Sequence, residues 1–118
     1  MYMDSKKLAQ LAAEACDDKK AQNINLINIS NVSYLSEWVL ITNGLSDVQV
    51  KSIINSVEYK LKHIAKLDPL RKEGVNEAKW ALLDYGNLIV NVFQPKERTF
   101  YNLEDFWSNG DIQTFPNS

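Results

Sequence analysis

The sequence predicts a single α/β domain, with a mixed β-sheet of about five strands flanked by helices. Three observations predict it. A strand-like run, a capped amphipathic helix and a second strand-like run succeed one another, the order that βαβ units use. One run, Trp38-Val39-Leu40-Ile41, is short and continuously apolar, as a strand buried on both faces requires. The chain has 118 residues, 45% of them hydrophobic and 24% charged. That suits one ordinary globular core and leaves no room for a second.

The elements follow in order. Asp4 or Ser5 can cap a first helix whose Leu8, Leu11, Ala12 and Ala15 fall at helical spacing. Asp17 and Asp18 should stop it, because acids at a helix C-terminus oppose its dipole. Ile24-Asn25-Leu26-Ile27-Asn28-Ile29 reads as a strand, residues 30–36 as a polar loop, and Trp38-Val39-Leu40-Ile41 as the buried strand. Ser46-Asp47-Val48-Gln49 is a capping box for a second helix, with Val50, Ile53, Ile54, Val57, Leu61 and Ile64 along one face. Asp47 at its start and Lys60, Lys62 and Lys66 toward its end suit the dipole. Asp68-Pro69 should end it, since the residue before proline is driven out of the α region.

Residues 70–74 make a short edge strand, with Arg71, Lys72 and Glu73 turned to water. Lys79-Trp80-Ala81-Leu82-Leu83-Asp84 and Leu88-Ile89-Val90-Asn91-Val92-Phe93 then form a hairpin. Its two-residue loop is Tyr85-Gly86 or Gly86-Asn87, the glycine supplying positive φ. Either loop puts Trp80, Leu82 and Asp84 on one face with Ile89, Asn91 and Phe93. Ala81 and Leu83 then face Val90 and Val92 on the other, which is wholly apolar and must be core. Read alone, the mixed face is the ordinary half-solvated side of a hairpin. Pro95 ends the second strand, Lys96-Glu97-Arg98 is a polar link, and Asn102 caps a short helix over residues 103–107. Residues 108–118 read as a loose tail.

Composition excludes several functions. With 13 Lys+Arg against 15 Asp+Glu the formal net charge is −2, unlike a chain that wraps nucleic acid. One cysteine (Cys16) and one histidine (His63) allow no internal disulfide and no usual zinc cluster. The N-terminal stretch lacks the apolar run of a secretory signal, and no stretch approaches about 20 apolar residues. The expectation is a soluble protein of a reducing, cytoplasmic compartment. The four glycines are isolated, so no phosphate-binding glycine loop exists. His63 falls on the solvent side of the second helix, and Cys16 reads as a small buried hydrophobe. Asp84 has no second carboxylate or histidine at matched spacing and reads as a turn residue bonding nearby N–H groups. Lys60, Lys62, Lys66, Arg71 and Lys72 form a basic patch without interleaved aromatics.

The run Trp80-Ala81-Leu82-Leu83-Asp84-Tyr85-Gly86-Asn87-Leu88-Ile89-Val90-Asn91-Val92-Phe93 resembles the hallmark of the ribosomal silencing factor family (RsfS, or Iojap-like). Three further segments agree in order and spacing. They are Lys20-Ala21-Gln22-Asn23-Ile24, the run from Val39 through Gly44-Leu45-Ser46-Asp47 to Val50, and the run from Arg98 through Phe100-Tyr101 to Trp107. Asn23, Asn87 and Asn91 stand where the family often carries Asp, Asp and His.

The resemblance implies a silencing domain over residues 1–107, similar in fold to nucleotidyltransferases, with a flexible tail over 108–118. It implies a role without catalysis or cofactor. Family members bind the large ribosomal subunit through ribosomal protein fourteen and by bulk block joining of the small subunit, repressing translation. Trp80, Leu82, Asp84, Tyr85, Asn91 and Phe93, extended by Arg98 and Tyr101, become the expected docking surface, with Asp84 available to a basic partner. Some members self-associate, so a homodimer of the free chain is a further expectation; contact with ribosomal RNA is left open. Two rivals remain: a nucleotidyltransferase-like enzyme using Asp84, another carboxylate and Mg²⁺, or an RNA-binding module on the lysine patch. Against the first, Gly44-Leu45-Ser46 is followed by Asp47-Val48-Gln49, without the paired aspartates that metal binding needs there.

Overall fold

A computed structural model describes residues 3–115. The ends of the expected domain and tail, residues 1–2 and 116–118, lie outside the described residues. The elements run α1 (Ser5–Asp18), β1 (Gln22–Asn28), β2 (Trp38–Asn43), α2 (Asp47–Lys60), a π-helical turn (Leu61–Ala65), β3 (Arg71–Glu73), β4 (Trp80–Asp84), β5 (Leu88–Phe93), α3 (Pro95–Tyr101), α4 (Leu103–Phe106) and β6 (Asp111–Phe115). The strands form one mixed sheet in the order β3-β4-β5-β2-β1-β6. β2 and β5 run parallel, and the other neighbours are antiparallel.

The helix starts follow from local chemistry. The Asp4 side chain accepts the Lys7 N–H at 2.9 Å, and Ser46 Oγ accepts the Gln49 N–H at 3.1 Å. Gln49 completes its half of the box one residue early, accepting the Leu45 N–H at 2.7 Å. Its amide then donates to the carbonyls of Lys19 and Lys20, tying the start of α2 to the end of α1. α1 and α2 cover one face of the sheet. Ala9, Ala12 and Ala13 let α1 come close, while Ile53, Ile54, Val57 and Leu61 fill the space over Leu40, Leu83, Val90 and Val92. β2 is buried along its whole length, as its apolar run requires.

The hairpin register pairs Trp80 with Phe93, Leu82 with Asn91 and Asp84 with Ile89. The loop is therefore Gly86-Asn87, closed by the Tyr85 N–H donating to the Leu88 carbonyl at 2.8 Å. Gly86 takes φ +88° and Asn87 does not have positive φ, the pattern of a type II′ turn.

Four expectations are corrected. The second helix does not run to Asp68-Pro69: it widens into the π-helical turn and stops at Lys66, whose φ is +59°. The wider turn changes the angle per residue, so Ile64 leaves the apolar stripe and is exposed. Lys96-Glu97-Arg98 is not a link but part of α3, with Pro95 in its first turn, where a proline costs no hydrogen bond. Asn102 caps nothing with its side chain; its φ of +46° makes the corner between α3 and α4. Residues 108–118 are not a loose tail over their described part, since Asp111–Phe115 is a sixth strand against β1. Gly110 permits this, because a Cβ there would lie 2.6 Å from the Asn28 carbonyl oxygen.

Candidate interaction surface

The mixed face of the hairpin is less open than its sequence suggests. Ile27, Ile29, Val39, Ile41 and Phe93 form a second, smaller core there, with Trp80, Leu103 and Trp107 packed on it. α3 and α4 lie over this face. Phe93 is 0% exposed, and its ring stacks on Trp80 with centroids 4.9 Å apart. Tyr101 lies outside them, 4.6 Å from Trp80. Phe93 is therefore the floor of an aromatic stack whose outer surface is Trp80 and Tyr101, and not a contact residue.

Asn91 is also buried, and its placement explains why an amide suits it. Its Oδ1 accepts the Trp80 indole N–H at 2.9 Å, and its Nδ2 donates to the Leu40 carbonyl at 3.3 Å. One side chain thus satisfies the tryptophan and ties β5 to β2. Tyr85 lies on the opposite face, in the core under the helices, with its hydroxyl buried and unpartnered. Burial, with the charges of Glu58 and Asp68 behind it, pushes its hydroxyl pKa up.

Asp84 behaves as the turn residue its sequence suggests. Oδ1 accepts the Gly86 N–H at 2.8 Å, and Oδ2 lies 3.5 Å from the Arg71 guanidinium. Arg98 turns inward, donating to Glu104 through Nε and Nη2 and to Asn43 Oδ1 through Nη1 at 3.0 Å. Of the eight expected docking residues, Trp80, Leu82 and Tyr101 lie together at the surface, with Asp84 at the edge of that group. Asn91, Phe93 and Tyr85 are buried, and Arg98 belongs to a separate polar cluster.

Phe100, which sequence reasoning missed, is 78% exposed and meets Tyr101 edge-on at 5.1 Å. Leu70, 77% exposed, precedes the edge strand. Two adjacent aromatics after a helix-starting proline were the available signal for Phe100. The surface is thus an aromatic ridge of Trp80, Tyr101 and Phe100 beside Leu82, with Asp84 at the end of β4 and Arg71 and Glu73 on the neighbouring β3. Apolar anchors bordered by polar groups suit a protein partner.

The charged groups of the expected basic patch are engaged locally. Lys60 pairs with Asp18, Lys62 with Asp68, Arg71 with Glu73 and Asp84, and Lys72 with Glu58. Lys66 donates to the His63 carbonyl. Asp47 is held below the usual carboxylate range by hydrogen bonds from Lys79 and Gln94. Among the described residues no three His, Cys, Asp or Glu side chains are grouped to hold a metal ion. Cys16 is fully buried, and burial raises its thiol pKa. No helix among the described residues is long and apolar enough to cross a membrane.

The model of a family described as ribosomal silencing factor during starvation matches residues 2–117. A ribosomal silencing factor of Halalkalibacterium halodurans is 38% identical, over 95% of this chain and 93% of its own length. One from Bacillus subtilis is 34% identical, over 93% of this chain and 92% of its own. A crystal structure of a Chromobacterium violaceum protein superposes with a TM-score of 0.87 at 34% identity, covering 90% of this chain and 88% of that one.

Proposed function

The chain belongs to the ribosomal silencing factor family, and from that premise we propose that it is a non-catalytic brake on translation that docks on the large ribosomal subunit. Its contact there is ribosomal protein fourteen, and its bulk keeps the small subunit from joining. It acts in the cytoplasm and needs no cofactor. The observation that carries the docking mode is the ridge of exposed Tyr101 and Phe100 against half-buried Trp80, beside Leu82. Large aromatics presented from a sheet and a short helix supply anchor area at low entropic cost, and such residues dominate interface energies. Asp84 shapes the hairpin tip instead of offering a free charge, because both its oxygens are engaged.

The rivals have less behind them. A metal-dependent nucleotidyl transfer needs grouped carboxylates, whereas Asp84 and Asp47 are each tied to a cation and to hydrogen-bond donors. An RNA-binding lysine patch needs free cations, whereas Lys60, Lys62, Arg71 and Lys72 are ion-paired. A homodimer of the free chain has the outer edge of β6 to build on, since β6 ends the sheet.

Sedimentation with separated subunits tests the function: the protein should travel with the large subunit alone and prevent reassociation. Tyr101→Ala tests the surface. It should weaken binding to ribosomal protein fourteen by about 2 kcal/mol, roughly 30-fold. Unchanged affinity in the folded variant would remove the ridge as the docking site.

A further inference from the structure

Beyond the aromatic ridge, a cleft of about 560 Å³ opens beside α3, lined among others by Asn23, Asn25, Asn43, Arg98, Glu104 and Thr114. Its place in the sheet is distinctive. β2 and β5 are the parallel pair among the described strands, and Asn43 is the last residue of β2. From their carboxyl ends the chain departs to opposite faces, β2 into α2 and β5 into α3. In α/β sheets such a divergence leaves a crevice, and ligands bind there.

The side chains in this crevice are held but not saturated. Glu104 takes three hydrogen bonds on Oε2, two from Arg98 and one from Asn25, and none on Oε1. Arg98 uses three of its five N–H groups, leaving two without a partner among the described residues. Asn43 accepts from Arg98 through Oδ1, while its Nδ2 donates to no described group. Tyr85 Oη is the one buried side-chain polar atom without a partner among the described residues, so the two partnerless atoms here, Glu104 Oε1 and Asn43 Nδ2, reach solvent.

The charge balance narrows the ligand. Arg98 and Glu104 are the ionised side chains lining the cleft, and they are paired with each other. A phosphate finds no unpaired cation, and a bare cation finds no second carboxylate. A ligand carrying both charges at short separation complements the pair and the amides around it. We propose that the cleft at the carboxyl ends of β2 and β5 binds a free amino acid as its zwitterion. The α-ammonium group donates to Glu104 Oε1, and the α-carboxylate accepts from the unused Arg98 N–H groups and Asn43 Nδ2. Shelter favours this over bulk water: the Arg98 side chain is 11% exposed and that of Glu104 23%, so screening is incomplete. The volume accommodates a small amino acid with room for its side chain.

The test is a titration of the full chain, followed by amide chemical shifts in two-dimensional NMR. The probes are glycine, L-alanine and L-glutamine; the controls are N-acetylglycine, glycinamide, adenosine and inorganic phosphate. The expected result is saturable shifts centred on Asn25, Asn43, Arg98 and Thr99 with at least one amino acid. Both blocked glycines should bind at least tenfold more weakly. Thr99→Trp, which fills the cleft from an exposed position, should abolish the shifts. Glu104→Gln should weaken binding tenfold or more, with distant resonances of α1 unmoved to show the fold intact. No saturable shift up to about 10 mM of any probe amino acid would overturn the proposal. So would equal binding of the blocked glycines, binding of adenosine or phosphate alone, or undiminished binding by Thr99→Trp. The titration uses the chain without ribosomes, so its outcome is separate from that of the docking experiments.

Discussion

The face of the sheet under α1 and α2 and the face under α3 and α4 share the same strands but are sealed by different means. On the first, two helices of 14 residues each bury alanine and β-branched side chains in a continuous, largely aliphatic core that also takes in Trp38 and Tyr85. On the second, helices of 7 and 4 residues contribute no buried residue of their own. Helices that short do not persist unaided. Contacts hold them instead: the Trp80–Tyr101 stack, the Arg98–Glu104 pair, and Leu103 and Trp107 on the small core. The difference teaches a division of labour. The face under α1 and α2 holds most of the core, and the face under α3 and α4 is a thin cover carrying both the aromatic ridge and the polar cleft. Binding elements are commonly drawn from the less stable end of a fold.

The largest effect expected lies on the aliphatic face. Leu83→Ala, at a fully buried position, should cost about 2–5 kcal/mol in urea unfolding. Tyr101→Ala, 48% exposed, should cost less than about 1 kcal/mol. Equal losses would break the comparison. Asn91→Ala comes next. It leaves the Trp80 indole N–H and the Leu40 carbonyl without their partner, so about 1–3 kcal/mol should be lost. Tryptophan fluorescence on the same samples should report a changed Trp80 environment.

How much of this was legible in the sequence follows the same division. The cap at Ser46, the start of α1 at Asp4 or Ser5, the helical faces apart from Ile64 and the presence of the hairpin rest on neighbours within a few residues, so they are legible directly; the choice between the two hairpin loops is not. Pro95 suits the end of a strand and the first turn of a helix equally well, so α3 is not legible there. β6 was missed because Asp111-Ile112-Gln113-Thr114-Phe115 is largely exposed and alternates weakly; its partner β1 lies at the other end of the chain. The π-helical turn carries no compositional mark. The alternation in the hairpin showed which residues share a face, but not whether another element covers it. Alternation alone therefore puts Phe93 and Asn91 at the surface, where α3 and α4 in fact cover them, and it says nothing of the exposed Phe100.

Alkaline pH sharpens the comparison further, because both groups whose ionisation burial opposes sit on the aliphatic face. The pKa values of Cys16 and Tyr85 are raised in the folded chain, first by desolvation and then by nearby carboxylates. Their stabilisation is complete below the unfolded-chain values, about 8.5 for cysteine and about 10 for tyrosine. Above those values the unfolded chain releases protons that the folded chain keeps. Stability should then fall by up to about 1.4 kcal/mol per pH unit for each group. Urea midpoints between neutral pH and pH about 10 check the onset, and Cys16→Ala should remove the part that begins nearest pH 8.5.

The smallest effect concerns a single oxygen. The Tyr85 ring is part of the aliphatic core, while its hydroxyl is buried without a partner. Tyr85→Phe keeps the ring and removes the group whose desolvation nothing repays. Stability at neutral pH should stay level or rise by up to about 1 kcal/mol. The same variant should lose the alkaline component that begins near pH 10. A clear loss of stability at neutral pH would mean that the hydroxyl holds a bond in solution, most simply to a buried water. The aliphatic face would then contain a polar tie comparable to Asn91, and the contrast between the two faces would narrow accordingly.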